Sequence, residues 1–130
     1  MDEIWLHEHE AVIEEARKQF GDILQESKQA IYLYLDDTHK TCNEKFASML
    51  GYKSAEEWAA VMKPFTEAFV EQQSQHRLVS AYQDAMESKS GSHVDVTWMR
   101  KTGGYVNTKV ILVPVSVRGE LLALHFIAEV

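Results

Sequence analysis

The sequence predicts an α+β fold: an amphipathic helix, two strands, a group of helices, then three final strands. Three observations predict it. Apolar residues alternate with period two at Ile31, Leu33 and Leu35, and again at Val94, Val96 and Trp98. Between these segments apolar residues recur every three to four positions, the spacing of a helix face. Glycine-bearing turns, Lys101-Thr102-Gly103-Gly104 and Val117-Arg118-Gly119-Glu120, separate the late strands.

From Asp2 to about Ser27, Leu6, Val12, Ile13, Ala16, Phe20, Ile23 and Leu24 fall at helical steps among Glu, Lys and Arg. Gly21-Asp22 marks a break or kink, with Asp22 able to cap a second short helix. A helix at a domain edge carrying Trp5, Ile13 and Phe20 needs cover, from its own domain or from a second copy of the chain. Ala30 to Leu35 then reads as a strand, and Asp36-Asp37-Thr38-His39-Lys40 as a turn. Thr41-Cys42-Asn43 is a short second strand. Phe46, Ala47, Met49 and Leu50 follow at helical spacing, with Gly51 as a C-terminal stop.

Ser54-Ala55-Glu56-Glu57 is a capped helix start, with Trp58, Val61 and Met62 on its apolar side. Pro64 ends that helix by restricting Lys63. One longer helix is expected from Thr66 to Ser88, with Phe69, His76, Val79, Tyr82 and Met86 along one stripe. Ser88 to Ser92 is a turn. Tyr105 to Val117 reads as a long strand, apolar on both sides from Val110 to Val115 and therefore covered on both. Pro114 within it argues for an edge position or a bulge. Leu121 to Val130 is the final strand.

The totals bound the function classes. At 130 residues the chain fits one domain with a genuine core. A formal net charge of −7, with no basic run beyond Arg100-Lys101, argues against nucleic acid and anionic membrane surfaces as partners. A single cysteine excludes an internal disulfide and fits a reducing compartment. No apolar run reaches bilayer-spanning length, and the acidic N-terminus lacks a signal-peptide pattern. A cytoplasmic location is the expectation.

In their order and spacing, Asp36, Asn43, Phe46, Gly51-Tyr52, Ser54-Ala55-Glu56-Glu57-Trp58 and Lys101-Thr102-Gly103 make the chain resemble the PAS domain family, over roughly Ile23 to Val130. The departures are Thr102 for the usual Asp, Lys40 for an apolar residue or glycine, and Glu44 for a frequent proline. None is expected at a core position. The resemblance implies a five-stranded antiparallel sheet with short helices on one face around a small cavity. It leaves residues 1–22 as a flanking amphipathic helix for dimerisation and 23–130 as the sensory domain. It also implies a non-catalytic module of signal transduction, which binds a small ligand or a partner protein and passes a conformational change to flanking helices or an effector. A homodimer through the N-terminal helix (Trp5, Ile13, Phe20) and the outer sheet face is expected.

Candidate sites weigh as follows. An inward face read from period alone gives a pocket of Ile31 and Leu33 from the first strand, with Phe46, Leu50 and Trp58 from the early helices. Phe69, His76, Val79 and Tyr82 come from the long helix, and Val96 and Trp98 from the third strand. Thr97, Thr108 and His125 could offer polar contacts. The cofactor is left open. Haem through His76 is an alternative, since a helical histidine can ligate iron, yet a lone His is more often a packed or surface residue. Flavin photochemistry is argued against more strongly: Ala59-Ala60-Val61-Met62-Lys63-Pro64 stands where the reactive-cysteine motif of that branch would be. Cys42 is expected to be simply buried, and Asn43 to cap the following helix. His7 and His9, two apart, point to different helix faces, so no metal site is expected. The other fold considered is a small α+β cone enzyme of the ketosteroid-isomerase or limonene-hydrolase type, which the strand order would discriminate.

Overall fold

The computed structural model describes residues 2–130, with side chains from Glu8 onward. The elements run α1 (Asp2–Gln19), α2 (Gly21–Glu26), β1 (Ala30–Tyr34), β2 (Lys40–Cys42), α3 (Glu44–Met49), α4 (Ala55–Ala59), α5 (Phe65–Phe69), α6 (Gln72–Ser88), β3 (Ser92–Met99), β4 (Tyr105–Val117) and β5 (Glu120–Glu129). The five strands form one sheet in the order β2-β1-β5-β4-β3, with every neighbouring pair antiparallel. This order excludes the α+β cone alternative.

Local chemistry explains the element ends. Asn43 caps α3 by accepting from the Phe46 N–H, and its side chain also ties to the backbone of Ile31 and Gln29. Ser54 caps α4 through the Glu57 N–H. Arg118 and Gly119 both take positive φ, 51° and 81°, the requirement of the tight turn joining β4 to β5. Asp22 does not cap α2; Phe20 occupies that position without a side-chain bond.

The expected single helix from Thr66 to Ser88 is two. Val70 is extended and bridges Trp98, and the Glu71 N–H donates to the Thr97 carbonyl at 2.9 Å. The chain thus touches strand β3 before α6 begins. The Ser74 hydroxyl, accepting from the Thr97 N–H at 2.9 Å, fastens the start of α6 to the same strand. The buried stripe of α6 is Ser74, Leu78, Ala81 and Ala85, not the His76, Val79, Tyr82 and Met86 line. Small residues let this helix lie close to the sheet.

Alternation along the strands divides the core into two layers. Tyr32, Val96, Trp98, Val110 and Ile127 face α3 to α6. Ile31, Leu33, Leu35, Leu122 and Leu124 face the other way, against Val12, Ile13 and Ala16 of α1. α1 is therefore part of this domain's core, and the expected boundary at 22/23 falls inside α2. Ile13, 9% exposed, is spent on its own sheet and is not free for a dimer seam; Phe20 packs on the same cluster. The side chain of Trp5 lies outside the described residues. Pro114 sits in β4 beyond Leu112, the last residue of β4 that pairs with β3, so only β5 adjoins it. It is in effect at an edge, as its missing N–H requires.

Candidate functional site

A cleft of about 250 Å³ opens between the sheet and the helices. Tyr32 and Tyr34 of β1 and His125 of β5 form its floor. Pro64, Phe65 and Thr66 line one side, Leu78, Val79, Tyr82 and Gln83 of α6 the other, and Asp37 closes an end. β1 is placed for this by its register, which sets Tyr32 opposite His125. Their rings stack with centroids 3.9 Å apart and planes 11° from parallel. Behind them Phe46, Phe65 and Trp98 surround the Tyr32 ring within 6 Å, in stacked and edge-to-face arrangements. The floor is aromatic.

The polar groups on the wall are mostly uncharged. Burial drives the His125 imidazole down to about 3, against the weaker opposing effect of backbone bonds at Ala123 and Tyr32, so it is neutral. Its Nδ1 lies 3.0 Å from the Ala123 carbonyl oxygen, to which it donates. Burial first, and then the bond to Asp37, raises the Tyr34 phenol. That hydroxyl donates to the Asp37 carboxylate at 2.8 Å, and the same oxygen accepts the Phe65 N–H at 3.1 Å. Burial, followed by the charges of Asp36 and Asp37, also raises Tyr82. Such a cleft suits a small, largely apolar molecule with one or two hydrogen-bonding groups, since its volume lies just below the roughly 300–1,000 Å³ of drug- and cofactor-sized sites.

Of the pocket residues expected from the sequence, Val79 and Tyr82 line this cleft, together with His125. Phe46, Leu50, Trp58, Phe69, Val96 and Trp98 lie in the core cluster behind it. Ile31 and Leu33 are on the opposite face of the sheet, because a strand apolar on both sides does not reveal which side meets the helices. His76 is exposed on α6 and is not among the residues lining the cleft. Thr108 is committed to Trp98 and the Val96 carbonyl, and Thr97 to Asn107. Burial raises the Cys42 thiol far enough to keep it protonated and inert.

Tyr32, Tyr34, Asp37, Phe65 and Leu78 were missed. The tyrosines carried a signal: they are the alternate set of the first strand. Lys40 was misplaced, since it is 4% exposed and belongs to the core. Its ammonium donates to the carbonyls of Asp37 (2.7 Å) and Val61 (2.6 Å) and lies 5.5 Å from the centre of the Trp58 ring. Burial lowers it to about 8, while Asp37 and Asp36 oppose the shift. It holds the segment after α4 against the turn that bears Asp37.

No protein-family model matches the sequence, and no curated protein does. Solved structures do. A PAS domain of a protein from Colwellia psychrerythraea superposes with a TM-score of 0.69 at 17% identity, covering 88% of this chain and 97% of the other. The PAS domain of an HTR-like protein from Haloarcula marismortui gives 0.66 at 17% identity, over 95% and 99% of the two chains. A PAS domain from a two-component sensor histidine kinase gives 0.66 at 12% identity, over 90% and 99%. Strand order, helix placement and near-complete coverage of these domains converge: the chain has the PAS fold.

Proposed function

We propose that the chain is a non-catalytic sensory module that binds a small, mainly apolar ligand in the cleft between β1, β5, α5 and α6. Occupancy would be transmitted to α1. One observation carries this reading: β1 serves both sides of the molecule. Tyr32 and Tyr34 floor the cleft, while Ile31 and Leu33, their immediate neighbours, support α1. A ligand that displaces the tyrosine rings twists a strand whose other face holds the helix. Of the titratable groups on the cleft wall, Tyr34, Asp37 and His125 are committed to structural bonds.

Native mass spectrometry of the intact chain, followed by NMR titration with a library of small aromatic and aliphatic compounds, tests this. Binding is expected to shift the amides of Tyr32 and Tyr34 together with those of α1. Val79→Trp, which fills the cleft from a half-exposed position, should abolish the shifts while leaving the fold intact. Binding that leaves α1 unmoved, or that survives Val79→Trp, would end the proposal.

A partner, in the first instance a second copy, is proposed on the sheet surface that α1 leaves open, where Ile111 of β4 is 54% exposed. Sedimentation of the chain against Ile111→Lys reads this: a dimer should become a monomer, and a monomer in both would sink it. A cytosolic setting agrees with the lone reduced thiol, and no described helix is long and apolar enough to cross a membrane.

A further inference from the structure

We propose that His9, Asp36 and His39 form a binding site for a divalent transition-metal ion of the zinc class, clamping α1 to the β1–β2 turn. It stands apart from the cleft and does not depend on the sensory reading. His9 comes from α1, whereas Asp36 and His39 come from the turn, so the site assembles only when α1 is docked. One ligand atom from each residue lies within 4.8 Å of the others. His9 Nδ1 is 2.6 Å from Asp36 Oδ2, and His39 Nδ1 is 2.8 Å from Asp36 Oδ1. Zinc bonds of about 2.0–2.1 Å in tetrahedral array require ligand atoms about 3.4 Å apart, inside the range this cluster spans. Small adjustments suffice.

The donor set fits the cation class. Two imidazoles and one carboxylate suit zinc, cobalt and their neighbours, not the all-oxygen shells of calcium or magnesium. Both histidines are buried, at 7% and 8% exposure. Two buried imidazoles converging on one half-buried carboxylate are an arrangement an isolated surface histidine lacks. Supporting bonds are in place as well. The Thr38 and His39 N–H groups donate to Asp36 Oδ1 at 3.0 and 2.7 Å, and the Thr38 hydroxyl at 3.1 Å. This turn fixes the carboxylate and leaves Oδ2 to face His9, as outer-shell bonds do in metal sites.

Access is provided too. Thr38 and His39 also line a surface groove that carries Glu10 and Glu14, acidic groups suited to attract a cation. An imidazole carrying its ring proton on Nε2 offers the Nδ1 lone pair to the ion. Three protein ligands leave a fourth position for water or for a donor from a partner.

The test uses the untagged full chain, stripped with chelator and titrated with Zn²⁺ and, as an optical probe, Co²⁺. One equivalent should bind in the micromolar range or tighter, raising Tm and giving the visible bands of tetrahedral cobalt. His39→Ala or His9→Ala should weaken binding by more than about 100-fold, beyond the 10- to 100-fold cost of losing an outer-shell partner. Thr38→Val should fall within that smaller range. His76→Ala, exposed on α6, should bind as the parent does. X-ray absorption of the zinc-loaded parent chain counts imidazole ligands directly and needs no variant to fold; two are expected. Absence of micromolar binding by the parent, undiminished binding in folded His9→Ala or His39→Ala, or a spectrum without paired imidazoles would each overturn the site.

Discussion

Tyr32 and His125, at 1% and 2% exposure, stack beneath the cleft, and an imidazole placed there folds only in its neutral form. In the unfolded chain it takes up a proton near its ordinary 6.5, but in the folded chain only near 3. The unfolded state therefore binds the extra proton throughout that window. Stability should fall as pH drops from about 6.5 toward 3, by up to roughly 4–5 kcal/mol from this residue. Urea midpoints measured across the range check this, and His125→Phe should flatten the slope. Lys40 has the same sense at the other end. Its folded value near 8 lies below the ordinary 10.5, so the folded chain sheds the proton first and gains stability from about pH 8 upward. The raised Cys42, and then Tyr32 and Tyr34, oppose that gain once the unfolded thiol ionises near 9 and the unfolded tyrosines near 10. Lys40→Met should remove the rise between about 8 and 9. At this scale the caps were legible, since Asn43 and Ser54 announce themselves beside their helices. Lys40 was not: no local pattern says that a lysine will be caged by carbonyls from a segment about twenty residues away.

At the scale of elements, β1 and α1 form the joint between the two core layers. Leu33 is fully buried between the sheet and α1. Leu33→Ala should cost about 2–5 kcal/mol in denaturant unfolding, as cavity-forming truncations do. Amide exchange should rise in α1 more than in α6, because α6 is stitched to β3 by Ser74 and packs on the other layer. Strand alternation made the two residue sets of β1 readable, but not their assignment to faces, since both sets are apolar. In α6 the spacing of the large residues predicts a buried stripe that the fold does not use. Ser74, Leu78, Ala81 and Ala85 share a face at helical spacing, and their small size is what close packing on a sheet asks for. Neither His9 with Asp36 nor the break at Val70 could be read locally, because each depends on a contact across more than 25 residues.

Over the whole molecule, element order was readable except for the split of the long helix at Val70, and the glycine turns fixed where the sheet folds back. Order is a property of sequence; which layer a helix joins is decided by the sheet it meets. That is why the sequence leaves the cover of α1 open between its own domain and a second copy, whereas Val12, Ile13 and Ala16 pack on this sheet. The sheet also ends in a way that bears on how copies of this chain meet at high concentration. Past Leu112, strand β4 has no strand partner on its β3 side, leaving a short open border. Pro114 lies on that border and has no N–H to give, so an incoming strand finds a gap in the ladder. Pro114→Val restores the donor in a run of Val and Ile. It should leave Tm within a few degrees while shifting light scattering toward aggregates on prolonged warming; scattering unchanged from the parent would show that the border is protected by something else. A residue that weakens one pairing thereby keeps the protein from recruiting itself.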